Sequence, residues 1–284
     1  MSLSGVVESI RRGNWALWRR QVVGILAIEA KKNLIGRRAM FVYLLAFAPV
    51  FLLALRLIVP VPKQAIDSIG GVSVMYAIIF RTFVLRLAVF FGCVGIFTRL
   101  IRGDMLERIL HYYLLSPVRR EVLITGKYLA GVLSTGLIFG VSTVLSYILL
   151  QAPAGWVAFE EFVIKGPGFG HLVAYVGLVV LACIGYGAVF LLIGLFFRNP
   201  IVPAAVILGW EYINFLLPPL LKKFSVIYYL ESLCPVPIPQ GSITILAEPA
   251  PAWLAIPGLL LVSGLILLIA GLKVRHMEIS YAEE

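Results

Sequence analysis

The sequence predicts an all-α membrane protein with six transmembrane helices. The first observation is composition: of 284 residues, 61% are hydrophobic and only 13% are charged. A soluble globular domain is about half apolar and about a quarter charged. A chain with so little charge cannot cover itself with polar surface, so its apolar excess must face lipid. The second observation is a series of six apolar runs, each at least as long as the ~20 residues that a helix needs to cross a bilayer.

The six runs define the domain organisation. A segment at residues 1–39 is predicted to be cytoplasmic or interfacial, residues 40–273 form the transmembrane domain, and residues 274–284 form a cytoplasmic tail. The fourth and fifth spans are joined by a tight turn at Asn199-Pro200, because proline suits the first turn of the following helix. No stretch is left for a separate soluble domain. The predicted spans are residues 40–59, 72–101, 122–150, 172–197, 201–221 and 253–272.

Basic residues set the predicted orientation. Eight precede the first span, and more lie in the link between spans two and three, whereas the opposite loops hold only Lys63, Lys165, Lys222 and Lys223. Basic loops stay cytoplasmic, so both termini are predicted to be cytoplasmic in a multi-pass protein of the cell (plasma) membrane. The net charge of +10 then indicates contact with anionic membrane lipids rather than nucleic acid. The eight are Arg11, Arg12, Arg19, Arg20, Lys31, Lys32, Arg37 and Arg38.

The segment before the first span has helical amphipathic spacing at residues 15–26. Its apolar positions include Trp15 and Trp18, and Arg19 and Arg20 lie on the polar face. This pattern predicts an amphipathic helix in the cytoplasmic interface plane, with these four residues as interfacial anchors. A solvated cytoplasmic helix is the alternative.

The longest outer link, residues 222–252, is predicted to be partly re-entrant. Pro235, Pro237 and Pro239 forbid a continuous helix through its middle. The flank at residues 226–233 is apolar, which favours a short helix dipping into the outer leaflet. The sequence leaves the depth of this loop open.

The link between spans two and three is the most informative inner segment. Residues 104–115 are predicted to form a short cytoplasmic helix, because Asp104 and Glu107 suit its first turn and Ser116-Pro117 ends it. An ordinary basic loop is the alternative. Gly126-Lys127 is followed by Tyr128 and not by the Ser or Thr whose hydroxyl holds magnesium in a Walker A phosphate-binding loop. If this protein uses ATP, another chain hydrolyses it.

This stretch resembles the permease subunits of type-2 ABC exporters. The resemblance also covers the basic entry helix, the six-span layout and the long last outer loop. The sequence departs from the family pattern at residues 108–111, where Gly-Thr-Leu-Glu is commoner. The residues in register are Asp104, Leu110, Leu114, Ser116-Pro117-Val118, Arg119-Arg120 and Gly126-Lys127.

The resemblance implies a function and partners. The short inner helix would be the coupling helix that docks on an ATP-binding cassette ATPase subunit, and a second permease subunit, expected to be identical, would complete the pore. The chain itself would be no enzyme and hold no cofactor, with ATP and Mg in the partner subunit. It would export a lipid, a hydrophobic drug or a lipid-linked glycan. The implied contact residues are Asp104, Met105, Leu106, Glu107, Arg108, Ile109 and His111.

Charged residues inside the predicted spans are candidates for a translocation pathway. Arg86 lies 13 residues from the inner boundary at Arg99, about 20 Å along an α-helix, and Glu211 is close to mid-membrane. A buried charge needs a partner or water, so Arg86 and Glu211 either pair or line a wet cavity. The predicted pathway residues are Arg86, Glu211, Tyr212 and Asn214.

Two rival classes differ in their demands on the sequence. A stand-alone secondary transporter would use Glu211 as an ion or proton site; such folds often contain inverted repeats, and none is visible here. An intramembrane enzyme would need clustered His, Asp or Ser–Lys pairs. The three histidines are far apart, and the three cysteines have no CxxC spacing, so no metal site is predicted.

Overall fold

A computed structural model describes residues 15–36, 39–58, 69–106, 119–155, 159–197, 199–214, 217–222, 225–237 and 251–275. All regular elements within these ranges are helical, as predicted. The α-helices are α1 (Trp15–Ile35), α2 (Ala39–Ile58), α3 (Ile69–Ile79), α4 (Phe90–Leu106), α5 (Arg120–Gln151), α6 (Gly168–Phe196), α7 (Ile201–Ile213), α8 (Pro219–Lys222), α9 (Val226–Ser232) and α10 (Ala252–Arg275). A π-helical segment, Phe80–Val89, joins α3 to α4, and shorter turns lie at Ala152–Ala154 and Glu160–Ile164.

Within the described ranges, four helices are long and apolar enough to cross a membrane. They are Gly71–Asp104, which runs from α3 through the π-helical segment into α4, and Arg120–Gln151, Gly168–Phe196 and Ala252–Arg275. The pair α1 and α2, bent by 66° at their junction, raises the number to five if it counts as one span. The coarse prediction of an all-helical chain with several apolar spanning helices is therefore confirmed.

The prediction of a continuous fifth span at residues 201–221 is wrong. α7 has only 13 residues and ends at Ile213, and Leu217 and Pro218 lie outside any helix. Pro218 and Pro219 explain the break, because proline lacks a backbone N–H and disfavours helical geometry in the residue before it. A helix of that length extends about 20 Å, short of the ~30 Å hydrocarbon core.

Small residues bring α4 and α6 into close contact. The Phe97 ring lies against Gly131 of α5 and Gly187 of α6, where a β-carbon would meet it at 2.6 and 2.5 Å respectively. A β-carbon at Gly194 would lie 2.7 Å from the carbonyl oxygen of Thr98. Helices in lipid associate through such close packing and through interhelical hydrogen bonds. Gly187 and Gly194 therefore let α6 approach α4, and Gly131 lets α5 approach the same Phe97 ring.

Hydroxyl side chains supply the interhelical hydrogen bonds, mostly around α5. Each donates to a backbone carbonyl on a neighbouring element, which satisfies the hydroxyl where water is excluded. These bonds hold α5 against α2, α3 and α6. They run from Tyr76 to Thr143 (3.0 Å), from Ser142 to Ala46, from Tyr128 to Ile184 (2.8 Å) and from Tyr147 to Gly168 (3.0 Å).

A helix is present over the predicted segment, residues 15–26, and extends further, to Ile35. It packs along the first half of α5, where a β-carbon at Gly126 would lie 2.9 Å from Ile25. Trp15 and Trp18 make an edge contact at 5.2 Å, and the Arg119 guanidinium lies 4.6 Å from the Trp18 ring centre. Arg19 and Arg20 are exposed. The four predicted anchors thus share the start of one helix with an outward-facing basic side.

Candidate functional site

The first candidate site is a cluster of charges that joins three helices. This inner cluster consists of Glu29 and Lys32 of α1, Asp104 of α4 and Lys127 of α5. The Lys127 ammonium donates to both carboxylates, and Lys32 Nζ lies 3.1 Å from Asp104 Oδ1. The side chains of Lys127, Glu29 and Asp104 are only 1%, 3% and 2% exposed. Such deep burial is tolerated because each charge has an opposite charge in contact with it.

The local sequence explains how the inner cluster forms. Glu29 and Lys32 are three residues apart, so they share one face of α1. Gly126 allows that face to approach α5, because any side chain there would collide with Ile25. Lys127 then reaches between the two carboxylates. The Gly126-Lys127 pair therefore has a structural explanation. The glycine permits the close contact between α1 and α5, and the lysine neutralises the carboxylates of Glu29 and Asp104.

The structure corrects the expected role of Asp104. Asp104 lies within α4, which continues to Leu106, so no separate helix begins at position 104. Its buried carboxylate contacts Lys32 and Lys127 and is not presented to a partner protein. Met105 and Leu106 belong to the end of α4, and the expected contact residues Glu107, Arg108, Ile109 and His111 lie outside the described residues.

The start of α5 is also bound to the end of α10. Arg120 Nη1 donates to the carbonyl oxygens of Val274 at 3.0 Å and Arg275 at 2.9 Å. Arg275 Nε in turn lies 2.9 Å from a Glu121 carboxylate oxygen. A cation is favourable at a helix C-terminus, where carbonyl groups lack partners. The first turns of α5 thus contact α1, α4 and α10.

The second candidate site, the outer cluster, consists of Arg81, Arg86 and Glu231. Arg86 donates to one Glu231 carboxylate oxygen through Nη2 at 2.7 Å and Nε at 3.2 Å, and Arg81 donates to the other oxygen. The three side chains are 23%, 18% and 16% exposed, in that order. Arg86 also lies 5.8 Å from the ring centre of Tyr212, within reach of a cation–π contact.

The π-helical segment explains why both arginines reach one carboxylate. In an α-helix, residues five apart lie about 140° apart around the axis. In a π-helix, the hydrogen bonds run between residues five apart and bring residue i+5 close to residue i. Arg81 and Arg86, which are five residues apart in the segment Phe80–Val89, therefore share a face. The prediction treated this stretch as α-helix and did not group them.

Glu211 has a different environment from the one expected. Its carboxylate accepts hydrogen bonds from Ser225 Oγ at 2.5 Å and from the backbone N–H groups of Val226 and Ile227 at 3.1 and 3.2 Å. These N–H groups belong to the first turn of α9, so Glu211 satisfies donors that a helix start leaves unpaired. Arg86 pairs with Glu231, so the Arg86–Glu211 pairing considered from the sequence is not the one formed.

The other expected pathway residues lie near these groups. Tyr212 lies beside the outer cluster, where its ring faces Arg86. Asn214 is buried at the end of α7. Asn214 Nδ2 has no acceptor among the described residues. The structure therefore places Arg86 and Tyr212 together, and gives Glu211 a separate capping contact with α9.

Sequence reasoning missed Glu231, Glu29 and the role of Lys127. Glu231 offered a signal, because it is an acidic residue within an otherwise apolar flank, and such a group needs a cation nearby. Glu29 offered a weaker one, since a helix with a basic face contains a single acid. Within the described ranges, no three or more His, Cys, Asp or Glu side chains are grouped so as to hold a metal ion.

Comparison with known proteins adds no identification. No model of a known protein family matches the chain, and no curated protein matches it. The functional assignment must therefore rest on the residues and contacts of the chain itself.

Proposed function

We propose that this chain is the transmembrane permease subunit of a type-2 ABC exporter. It moves a lipid, a hydrophobic drug or a lipid-linked glycan out of the cytoplasm, using ATP that a separate subunit hydrolyses. The inner cluster is the observation that carries the proposal, taken with the motif resemblance of the link between α4 and α5. The chain is a multi-pass protein of the plasma membrane with both termini in the cytoplasm, and it assembles as a homodimer with two ATPase subunits.

The inner cluster suits a mechanical role. Residues 107–118 connect α4 to α5, and the Asp104–Lys127 ion pair joins those two helices on either side of this link. Glu29 adds α1 to the same group of charges. Because buried ion pairs are costly to separate, a force applied to the link moves α1, α4 and α5 together. ATP-driven closure of the partner subunits supplies that force in the proposed mechanism.

The outer cluster suits the opposite end of the same movement. Arg81 and Arg86 belong to the continuous helix Gly71–Asp104, which ends at the inner cluster. Glu231 holds them to α9. A displacement of α4 at its inner end is therefore transmitted toward contacts that close the outer end. Opening toward the outside would require the two arginines to leave Glu231. Because the outer cluster is partly exposed to solvent, this separation costs less free energy than separating the charges of the inner cluster.

The rival function, a secondary transporter with Glu211 as its ion site, is less well supported. Both Glu211 oxygens accept hydrogen bonds, from Ser225 and from the first turn of α9. A carboxylate in this setting stabilises a helix start, and protonating it would weaken those bonds. The two functions also differ in their need for an ATPase partner.

The proposal is tested by exchanging two charges in the expected coupling segment. We expect Glu107→Lys combined with Arg108→Glu to reduce co-purification of the partner ATPase subunit by about tenfold, because losing close charge pairs at an interface costs ~1.5 kcal/mol or more. The net charge is unchanged, so insertion is unaffected. The measurement is the ATPase-to-permease ratio after affinity purification in mild detergent, together with cargo-stimulated ATP hydrolysis.

The matched control exchanges a charge pair elsewhere on the surface. Glu160→Lys with Lys165→Glu reverses an exposed ion pair of 3.0 Å and should leave ATPase binding at the wild-type level. Wild-type ATPase binding and transport in the 107/108 variant would refute the proposed function. Transport that persists without any ATPase would favour the secondary transporter.

A further inference from the structure

A cleft opens between α1, α2 and α4 beside the inner cluster. Its floor is apolar and is formed by Ala39, Gly95, Ile96 and Leu100. Its rim is polar and carries Lys32, Asn33 and Arg99, with the two inner-cluster carboxylates Glu29 and Asp104 behind them. The cleft therefore has an apolar part and a charged part side by side.

The rim offers hydrogen-bond donors. Arg99 is exposed, and no ion-pair partner for it is found in the described part of the chain. Asn33 Nδ2 is buried and lacks an acceptor among those same residues. Lys32 contributes a further ammonium, which lies 3.1 Å from Asp104 Oδ1. These three groups are donors of the kind that bind phosphate oxygens.

The charge balance at the cleft also favours an anion. Lys32, Arg99 and Lys127 carry three positive charges, against the two carboxylates of Glu29 and Asp104. Lys127 bridges both carboxylates from behind, so their negative charge is compensated within the protein. The rim retains one net positive charge, centred on the exposed guanidinium of Arg99.

We propose that this cleft binds one anionic phospholipid, with its phosphate on Arg99 and Asn33 and an acyl chain against Gly95 and Ile96. Gly95 is four residues from Arg99, about 6 Å along α4, which matches a headgroup at the membrane surface and a chain entering the hydrocarbon region. The acyl chain of the lipid then continues along the exposed apolar side of α2, which includes Met40, Phe41 and Leu44.

A phospholipid fits these features better than a soluble phosphate compound does. Free phosphate would use the rim donors and leave the apolar floor uncovered, whereas a lipid covers both. Anionic lipids are also concentrated in the cytoplasmic leaflet, where they attract basic groups near the surface. This inference concerns a site outside the export pathway. It rests on the proposed orientation, which puts the cleft at the cytoplasmic leaflet, and it does not depend on the ATPase partner.

The experiment measures lipid binding to the purified full chain without an ATPase. Native mass spectrometry of the protein in detergent, titrated with phosphatidylglycerol or phosphatidylcholine, counts bound lipids. We expect one phosphatidylglycerol molecule to bind in preference to phosphatidylcholine. Arg99→Gln should weaken the affinity for phosphatidylglycerol about fivefold, because one basic contact is lost. Arg99→Lys, which keeps the charge and loses the planar fork, should give an intermediate loss. Inorganic phosphate should not displace the lipid.

The control is Lys31→Gln, which removes an exposed charge from α1 at a position that does not line the cleft. It should leave the tight site unchanged, and the melting temperature of every variant is measured alongside. Equal weakening by Lys31→Gln and Arg99→Gln would show general attraction to the surface and overturn the site. Wild-type binding in both Arg99 variants, or displacement by inorganic phosphate, would also overturn it.

Discussion

The two charge clusters differ in burial and in the cation they use. In the inner cluster, Lys127 lies between two carboxylates, and these three side chains are at most 3% exposed, whereas the fourth member, Lys32, is 39% exposed. In the outer cluster, two arginines share one carboxylate, and each side chain is 16 to 23% exposed. The inner cluster connects α1, α4 and α5, whereas the outer cluster connects the π-helical segment to the seven-residue helix α9.

Under the proposed export mechanism, this difference predicts which end of the molecule moves. A fully buried ion cannot exchange its partner for water, so separating the inner charges leaves them uncompensated. A partly exposed guanidinium can exchange a carboxylate for water at lower cost. The inner end is therefore expected to move as one body, and the outer end is expected to open.

The largest effect is expected at Lys127. Lys127→Met removes the cation between Glu29 and Asp104. Asp104 keeps Lys32 as a partner at 3.1 Å, whereas the buried Glu29 carboxylate loses its ion pair with Lys127. Breaking a buried ion pair in this way costs about 3 to 5 kcal/mol, so the melting temperature in detergent should fall steeply. Thermal unfolding followed by size-exclusion chromatography measures the loss.

Two further variants make this test specific. Lys165→Met removes a lysine whose side chain is 70% exposed and should leave the melting temperature unchanged. Adding Glu29→Gln and Asp104→Asn to Lys127→Met should restore part of the lost stability, because no buried charge remains in the cluster and the Lys32 side chain, 39% exposed, keeps its contact with solvent. A Lys127→Met protein with wild-type stability would remove the basis for a rigid inner end.

A smaller effect on stability is expected at Glu231. Glu231→Gln deprives Arg81 and Arg86 of their shared carboxylate, but both guanidinium groups retain access to solvent. The expected loss is about 1.5 to 3 kcal/mol, the value of hydrogen bonds to a charged group. Cargo-stimulated ATP hydrolysis should change more than stability does, because the outer contacts are the ones proposed to open.

The comparison variant for Glu231 is Glu161→Gln, at an exposed acidic position that precedes α6. It should alter neither the melting temperature nor the coupling. If Glu231→Gln lowers stability as much as Lys127→Met does and leaves ATP hydrolysis unaltered, the outer cluster is a structural support and the contrast between the two ends is lost.

Much of the helical layout follows from the sequence because long apolar runs leave the backbone little choice in lipid. The helices at Arg120–Gln151, Gly168–Phe196 and Ala252–Arg275 lie over the predicted spans. The break after Ile213 was predictable in kind, since Pro218-Pro219 lies within the fifth apolar run. The prediction gave more weight to that run's length than to its prolines.

The charge clusters were less predictable because they depend on contacts between distant segments. Glu29 and Lys127 are 98 residues apart, and Arg86 and Glu231 are 145 apart. Lone charges near span ends are often exposed, so their positions alone gave no reason to join them. The π-helical segment was also unpredictable, since its residues have no spacing that distinguishes them from α-helix. Without it, Arg81 and Arg86 do not share a face.

A substitution at Glu211 tests whether this residue caps α9 or pairs with Arg86, and its expected effect on stability is the smallest of those considered. Glu211→Gln keeps one acceptor oxygen and replaces the other by an amide N–H₂ group. Ser225 can rotate its hydroxyl to accept from that amide, so one backbone N–H of α9 loses its bond. The expected loss is about 1 kcal/mol, similar to the removal of a helix cap.

A double-mutant cycle separates the two roles. If Glu211 caps α9, combining Glu211→Gln with Arg86→Met should give nearly the sum of the single losses, with a coupling energy below about 0.5 kcal/mol. The cycle between Glu231→Gln and Arg86→Met serves as the reference and should show about 1 kcal/mol or more, because those side chains share two hydrogen bonds. Unfolding in denaturant provides the four free energies of each cycle. Strong coupling between Glu211 and Arg86 would mean that Arg86 divides its charge between two carboxylates. The outer cluster would then extend to α7, and its opening would have to move that helix as well.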